Sequence, residues 1–327
     1  MSGKIVELMQ PEAQHDLAWL RQSLQAAIEL ELATIPPYLC GLWSIKAQGG
    51  PAYDLIDSVV LEEMLHMGLV CNMLTAIGGT PQIVAGYQQL TYPGPLPGGV
   101  RPKLMVYLGG LTKDYLGSVY MEIEFPEKGP VALAFGEEYP TIGAFYDAIS
   151  SAFEQLAPPM STKNQLISEG ISLTKVGTVA DAVKAITEIK EQGEGTSQSP
   201  LATDFGGELA HYYRFAEIFN GKKLIQVGGK WNYSGDPIPF PDVYPMTPVP
   251  AGGYPNPSSQ TKQALQAFNQ KFATVLNNLE SAWTNGNQND LSKAVGTMLG
   301  LQSLANSLMQ IPRVDQNGVY GPEFRLP

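Results

Sequence analysis

Acidic residues at the centre of apolar helix faces constrain this chain more than any other sequence feature. Helical hydrophobic spacing predicts four core segments, at residues 12–35, 53–77, 179–194 and 204–219. On a wheel of about 100° per residue, Glu31, Glu63 and Glu208 lie at the centre of the apolar stripe of their own segment. Burying an unpaired carboxylate costs several kcal/mol or forces its protonation. The segments must therefore pack around something positive.

Two histidines in the middle of predicted core segments follow a glutamate by three residues. The pairs are Glu63–His66 and Glu208–His211; His15 also follows Glu12 by three residues, but it lies near a helix start and is expected to be an ordinary residue. Residues three apart share one helix face, so both side chains of a pair can reach the same point. A Glu from each of two helices, with Glu-x-x-His from each of the other two, is the ligand set of four-helix bundles that hold two iron or manganese ions.

The same geometry selects the remaining acids. Glu31 lies within about 40° of the apolar residues of its helix, whereas Glu29 points about 160° away. In the third segment Glu194 lies about 80° from the centre of the apolar side and Glu191 about 140°, so Glu194 is favoured and Glu191 stays open. The predicted ligands of two metal ions are Glu31, Glu63, His66, Glu194, Glu208 and His211.

We assign Glu63 and Glu208 as bridging ligands, one histidine to each ion, and Glu31 and Glu194 as terminal ligands. Carboxylate and imidazole donors without thiolate suit iron first and manganese second.

Composition excludes several classes of protein. With 20 Lys and Arg against 31 Asp and Glu, the net charge is −11, which argues against a nucleic-acid partner. Cys40 and Cys71 lie in apolar helical surroundings and are expected to be reduced core thiols. No apolar run long enough for a membrane span is found, and the first residues show no hydrophobic leader, so we expect a cytoplasmic location.

The predicted fold is mainly α-helical: a single domain over 1–327, built on a four-helix bundle with a loop-and-strand insertion and extra C-terminal helices. The first helix should end near Pro36-Pro37, because the residue before a proline avoids the α region. The fourth should begin at Asp204 as its N-cap. The remaining predicted elements are the insertion at 84–140 with strands at 104–108 and 119–125, a helix at 141–156, a Pro/Gly-rich surface segment at 228–257, and helices at 259–283 and 290–310.

Several short motifs resemble those of one family. They include LELATIPPYL at 30–39, EEMLHM at 62–67, AIGGTP at 76–81, QGEG at 192–195, HYYRF at 211–215 and GPEF at 321–324. As a set they resemble the ferritin-like iminophenyl-pyruvate dimer synthase family over nearly the whole chain. The resemblance implies a ferritin-like bundle, supports Glu194 through the QGEG motif, and implies oxidative coupling of an amino-acid-derived imine as the family's reaction.

We therefore expect a dinuclear non-haem iron or manganese oxidoreductase that acts on a small organic substrate, such as an amino-acid-derived imine or amine, with O2. The alternative is a ferritin-like metal-binding or ferroxidase protein without an organic substrate. A metal-free structural bundle is a third reading. The expected partners are a small-molecule substrate and O2, with no nucleic acid and no membrane, and the chain can form an oligomer.

Overall fold

The computed structural model describes residues 4–10, 14–126, 141–196 and 199–327. Within these ranges the α-helices are α1 (Lys4–Leu8), α2 (Leu17–Ser44), α3 (Pro51–Ala76), α4 (Ile83–Tyr87), α5 (Lys113–Tyr115), α6 (Met121–Ile123), α7 (Ile142–Leu156), α8 (Val179–Glu194), α9 (His211–Asn220), α10 (Ser259–Asn285), α11 (Gln288–Leu299) and α12 (Leu301–Leu308). A π-helical turn, Leu116–Tyr120, joins α5 to α6. Short 3₁₀ turns lie at Pro97–Gly99 and Glu169–Ile171, and the strands are β1 (Lys222–Val227) and β2 (Lys230–Pro237).

The two longest core helices, α2 and α3, form the centre of the fold. The Asp16 side chain caps α2 by accepting the Trp19 N–H at 2.8 Å. α3 begins with Pro51, whose missing N–H costs nothing at a helix start. Both helices are buried over most of their length, and α8 and α9 pack against α3. The architecture is a mainly helical bundle, as predicted.

The prediction that the first helix ends near Pro36-Pro37 is wrong, because α2 continues through both prolines to Ser44. Proline removes a backbone donor, which leaves carbonyls of the preceding turn without a helical partner. The Tyr92 hydroxyl donates to the Ala33 carbonyl at 2.7 Å and so replaces the bond that Pro37 cannot make. Burial on all sides and this replacement outweigh the local proline rule.

The fourth helix begins seven residues later than predicted. α9 starts at His211, and its N-cap position is held by Ala210 rather than Asp204. Residues 201–209 form a turn, closed by the Ala202 N–H bond to the Glu208 carbonyl at 2.9 Å. Gly206 and Gly207 have φ of +87° and +69°, a left-handed backbone that a helix cannot contain.

The two segments of the insertion predicted as strands form no regular strand, and the second of them is largely helical. Residues 119–125 lie in the π-helical turn, α6 and the residues after them. Within 104–108, Val106 makes only an isolated bridge with Gly94. Residues 127–140 of the insertion lie outside the described ranges. The regular strands are instead the antiparallel hairpin β1–β2, which overlaps the segment predicted to wrap the surface.

The insertion reaches α2 at a glycine. Tyr120 donates its hydroxyl to the Pro37 carbonyl at 2.6 Å, and a Cβ at Gly41 would collide with that hydroxyl. The close approach places the start of α6 beside the C-terminal part of α2.

The C-terminal helices cover the outside of the bundle. α10 packs against α4 and α3, and α12 packs against α2. The helix predicted at 290–310 is divided into α11 and α12 at Gly300. Of the described helices, α3 is long and apolar enough to cross a membrane, with a mean hydropathy of 1.3, but 78% of that window is buried inside the fold. A core position accounts for its composition.

Candidate metal centre

Two groups of buried carboxylates and imidazoles meet in the middle of the bundle. One group contains Glu31, Glu63 and His66, and the other contains Glu63, Glu124 and His211. In each group one ligand atom per residue lies within 4.8 Å of the others. Glu63 belongs to both groups, and the two imidazole rings stack with their centroids 5.5 Å apart. The two groups therefore form one continuous site.

Four elements bring these side chains together. Glu31 comes from α2, and Glu63 and His66 lie one turn apart on α3. His211 is the first residue of α9. Glu124 directly follows α6, and its N–H still bonds to the Tyr120 carbonyl at 3.1 Å, so its direction is set by the helical segment before it.

His211 has the environment of a metal ligand. Its Nε2 lies 2.9 Å from Glu62 Oε2, a hydrogen bond in which the ring donates to the carboxylate. A neutral imidazole then has its lone pair on Nδ1. That atom is buried without a hydrogen-bond partner, although Glu63 Oε1 lies 2.9 Å away and Glu124 Oε2 3.4 Å away. Three electron-pair donors that converge without a hydrogen bond fit a bound cation.

His66 has the same orientation as His211, with Nε2 facing outwards and Nδ1 facing the site. Its Nε2 lies 2.8 Å from Gln192 Oε1, so its Nδ1 is directed into the site. Nδ1 lies 3.6 Å from Glu31 Oε2 and 3.9 Å from Glu63 Oε1. Two ligand atoms on one ion, at bonds of about 2.1 Å, are separated by roughly 3 to 3.5 Å. The observed spacing is close to that value, and the donor set suits iron or manganese.

The ligand carboxylates are held by neutral hydroxyl groups. Tyr38 donates to Glu124 Oε1 at 2.5 Å, Tyr146 donates to Glu31, and Thr34 donates to Glu63 Oε2 at 2.7 Å. Burial, and then the adjacent Glu124 and Glu63 carboxylates, raise the pKa of Tyr38 well above its ordinary value. The phenol therefore stays protonated and remains a donor.

The charges of the site call for a cation. Burial, and then repulsion from Glu124, raise the pKa of Glu63 to about 7, against the opposing effect of His211. Burial alone would lower the pKa of His211, but Glu124, Glu62 and Glu63 raise it well above its ordinary value. Without a metal ion, Glu63 and His211 thus hold protons that offset the negative charge of the carboxylates. A bound metal ion would take the place of these protons.

Most of the residues predicted as ligands meet here, but Glu208 does not. Its side chain is 65% exposed, precedes α9, and pairs with Arg214 at 3.1 Å. The prediction that Glu208 lies on a buried helix face is wrong. It assumed that the helix extends from 204, whereas the residues before His211 form a turn. The pair Gly206-Gly207 was the sequence signal for that turn.

Glu194 occupies a position at the edge of the site. It is the last residue of α8, is half-buried, and lines the same cavity as Glu31, Glu63 and His66. It stays a candidate ligand. Glu191 accepts the Asp204 N–H at 3.3 Å and does not line that cavity, so the geometry favours Glu194 of the two.

Glu124 is the functional residue that the sequence reasoning missed. The alternation around it was interpreted as a strand. Leu116, Val119, Tyr120 and Ile123, however, have the i, i+3, i+4, i+7 spacing of a buried helix face, and all four are buried. Glu124 continues this face, four residues after Tyr120.

The centre opens onto a cavity of about 60 Å³, which has room for a few water molecules or ions. Leu30, Val100, Ile123 and Ile142 supply apolar wall, and Arg101 and Lys190 supply positive charge. Arg101 lies 3.5 Å from Glu122 and donates to the Phe125 carbonyl at 2.8 Å, whereas Lys190 pairs with Asp147.

Comparisons with known proteins agree with this architecture. The crystal structure of a ferritin-like protein from Caulobacter vibrioides superposes with a TM-score of 0.63 at 24% identity, over 95% of this chain and 98% of that one. At that identity the likeness shows the fold alone. No curated protein matches the chain.

The family comparison reaches the ligand residues themselves. A family model described as Ferritin-like matches residues 24–220, a range that holds every residue of the two carboxylate–imidazole groups. The narrower resemblance to iminophenyl-pyruvate dimer synthases stays a hypothesis. By the extent of this match, and by the site at its centre, the chain belongs to the ferritin-like family.

Proposed function

We propose that this protein is a dinuclear non-haem metal oxidoreductase, with iron as the preferred metal and manganese as the second choice, that oxidises a small organic molecule with O2. The observation that carries the proposal is the sharing of Glu63 between two buried carboxylate–imidazole groups beside a cavity. Ligand clusters of this kind recur in the dinuclear carboxylate bundles.

The roles of the side chains follow from their positions. Glu63 would bridge, His66 and Glu31 would hold one ion, and His211 and Glu124 would hold the other. Three carboxylates against two divalent ions leave one positive charge, which Glu194 can balance from the cavity wall. When bound, the metal pair supplies the electron exchange between the organic substrate and O2.

The cavity walls support an amino-acid-derived imine or amine as substrate. Apolar side chains such as Leu30 and Ile142 suit a hydrocarbon group, and Arg101 offers a charge for a carboxylate. Oxidation of an amine to an imine removes two electrons and two protons from the C–N unit. O2 accepts both and leaves as hydrogen peroxide, so the reaction balances without a further reductant.

The small size of the cavity favours a second candidate function. A volume of about 60 Å³ admits ions and water more readily than an amino acid. A ferritin-like ferroxidase that oxidises Fe²⁺ without an organic substrate would need no more room. Its product would be ferric iron, and it would consume O2 only in proportion to the iron supplied.

Oxygen uptake separates the two functions. Protein loaded anaerobically with two Fe²⁺ per chain is mixed with O2 in the presence and absence of a panel of amino acids and their amines. Repeated turnover with one of them, with one hydrogen peroxide formed per substrate oxidised, supports the oxidoreductase. Uptake that stops in proportion to added Fe²⁺ and ignores every organic compound supports the ferroxidase, and a 24-subunit shell by light scattering would strengthen that outcome.

A further inference from the structure

The two histidines of the centre differ in what holds their outer nitrogen. His66 Nε2 donates to the neutral amide oxygen of Gln192 at 2.8 Å, whereas His211 Nε2 donates to the carboxylate of Glu62 at 2.9 Å. A carboxylate acceptor draws the ring proton towards itself and makes the imidazole a stronger donor to a metal. An amide acceptor does this far less. The inner faces of the two groups look alike, but their outer contacts do not.

The carboxylate beside His211 is fixed by a buried arginine. Arg214 Nη1 lies 2.9 Å from Glu62 Oε1 and donates to Ser58 Oγ at 2.9 Å, and its Nη2 lies 3.1 Å from Glu208 Oε2. The guanidinium is 3% exposed, so its orientation is set by packing as well as by charge. Glu208, the glutamate of the second Glu-x-x-His pair, thus stands at the outer end of a chain that runs through Arg214 and Glu62 to His211.

The two positions also differ in access. The cavity is lined by Glu31, Glu63, His66 and Glu124, but His211 does not line it. His211 is fully buried, with an exposed fraction of 0%. The His66 ring therefore lies on the cavity wall, whereas the His211 ring lies behind the Glu63 and Glu124 carboxylates, so an ion held by His66 would have the more direct access to the cavity.

We propose that the two metal positions differ in affinity because their surroundings differ. The His211 position binds its ion first and more tightly, and the His66 position exchanges its ion through the cavity. The inference rests on the metal centre proposed above and extends it to the order of loading. Glu62, Arg214 and Gln192 are positioning residues, because they act through the histidines. Outer partners of ligating histidines change metal affinity by about 10- to 100-fold, and a difference of this size separates the two binding steps.

Cobalt titration of the metal-free protein tests the order. Co²⁺ alone, added without O2, is followed by calorimetry and by its visible absorption. The expected result is two steps that differ by at least tenfold. The first equivalent should give the spectrum of the His66→Ala variant, which keeps the His211 position, and a chelator should remove one of the two ions quickly.

Exchange of the two outer partners provides the decisive comparison. Glu62→Gln should weaken the first step about 10- to 100-fold, and Gln192→Glu should strengthen the second by a similar factor. The double variant should reverse the order, so that its first equivalent has the spectrum of the His211→Ala variant. Glu154→Gln is the control for the loss of one carboxylate, because Glu154 is exposed on α7 and does not line the cavity of the centre.

Equal affinities in the wild-type protein, first loading at His66, or an order that the exchange leaves unchanged would each overturn the inference. If far-ultraviolet circular dichroism shows that Glu62→Gln does not fold, Gln192→Glu alone still tests the inference. It should reduce the difference in affinity between the two binding steps by strengthening the second. Ordered loading without oxidation of any organic compound would overturn the proposed function and leave this inference standing. Absence of Co²⁺ binding would overturn both.

Discussion

Two single variants, Glu124→Gln and Glu208→Gln, test which of the two glutamates belongs to the metal centre. Glu124→Gln keeps an oxygen that can accept the Tyr38 hydroxyl, now at 2.5 Å, and removes only the charge and the strong ligand. Glu208→Gln makes the same chemical change on a side chain that is 65% exposed. The structure predicts that the first variant binds about one metal ion per chain instead of two, and that the second still binds two.

The size of the effect follows from the site. Loss of a carboxylate that lies 3.4 Å from His211 Nδ1 should weaken the adjacent position by at least 100-fold, which is about 2.7 kcal/mol. The metal-dependent gain in unfolding free energy should fall by a similar amount at saturating metal. In the metal-free protein Glu124→Gln removes both the repulsion from Glu63 and the attraction to His211, so the unfolding free energy should change less than it does in the metal-loaded protein.

Elemental analysis by mass spectrometry gives the stoichiometry, and denaturant unfolding with and without Co²⁺ gives the free energies. Glu208→Gln should change the stability of the metal-free protein by less than about 1 kcal/mol, as expected for a largely exposed ion pair. Two metal ions per chain in Glu124→Gln, together with one in Glu208→Gln, would refute the geometric assignment and restore the ligand set predicted from the sequence.

Four further predictions concern the histidines, Glu63 and Tyr92. His66→Ala or His211→Ala should lower bound metal from two ions per chain towards one, and undiminished stoichiometry in both variants by mass spectrometry would contradict the two-position site. Because the pKa of Glu63 is raised to about 7 from an ordinary value of 4.5, metal must displace its proton at acid pH, so this proton alone should lower the Co²⁺ affinity measured by calorimetry by about fivefold from pH 7 to pH 6. The raised pKa of Glu63 also stabilises the metal-free fold, because the folded protein holds this proton more tightly than the unfolded chain does. This stabilisation is complete below pH 4.5 and is lost as the pH rises through 7. The unfolding free energy should therefore decline over that window, and Glu63→Gln should remove the decline. Tyr92→Phe should cost about 1 to 3 kcal/mol in denaturant unfolding, because it leaves the Ala33 carbonyl unpaired inside α2, and a change below 0.5 kcal/mol would show that this bond does not support the helix through its prolines.

Helical periodicity predicted the parts of the site that lie on long regular helices. Glu31 on α2, and Glu63 with His66 on α3, occupy the buried faces that the wheel assigned to them. Their segments are 28 and 26 residues long, so the apolar pattern repeats often enough to define a face. Over such lengths even the two prolines of α2 do not change which side is buried.

The parts that the sequence did not predict lie where regular structure is short. α9 has 10 residues and begins at the ligand itself, so a wheel extended backwards from His211 crossed a turn and misplaced Glu208. Glu124 follows a helix of only 3 residues inside the insertion, where one local alternation was enough to suggest a strand. Periodicity averages over several turns, and neither segment offers several turns to average.

Chemistry constrained the site more firmly than the helix assignments did. Buried acids on α2 and α3 required a positive partner, and two imidazoles required a position for each ring, whichever further acid completed the set. Glu208 was expected to supply this further carboxylate from the fourth helix. Glu124 supplies it instead, from the insertion. Glu208 in turn acts one layer out, where Arg214 links it to Glu62 and so to the outer nitrogen of His211. The two Glu-x-x-His pairs therefore resemble each other in sequence but differ in structure, because only the first lies within a helix that directs both of its side chains into the centre.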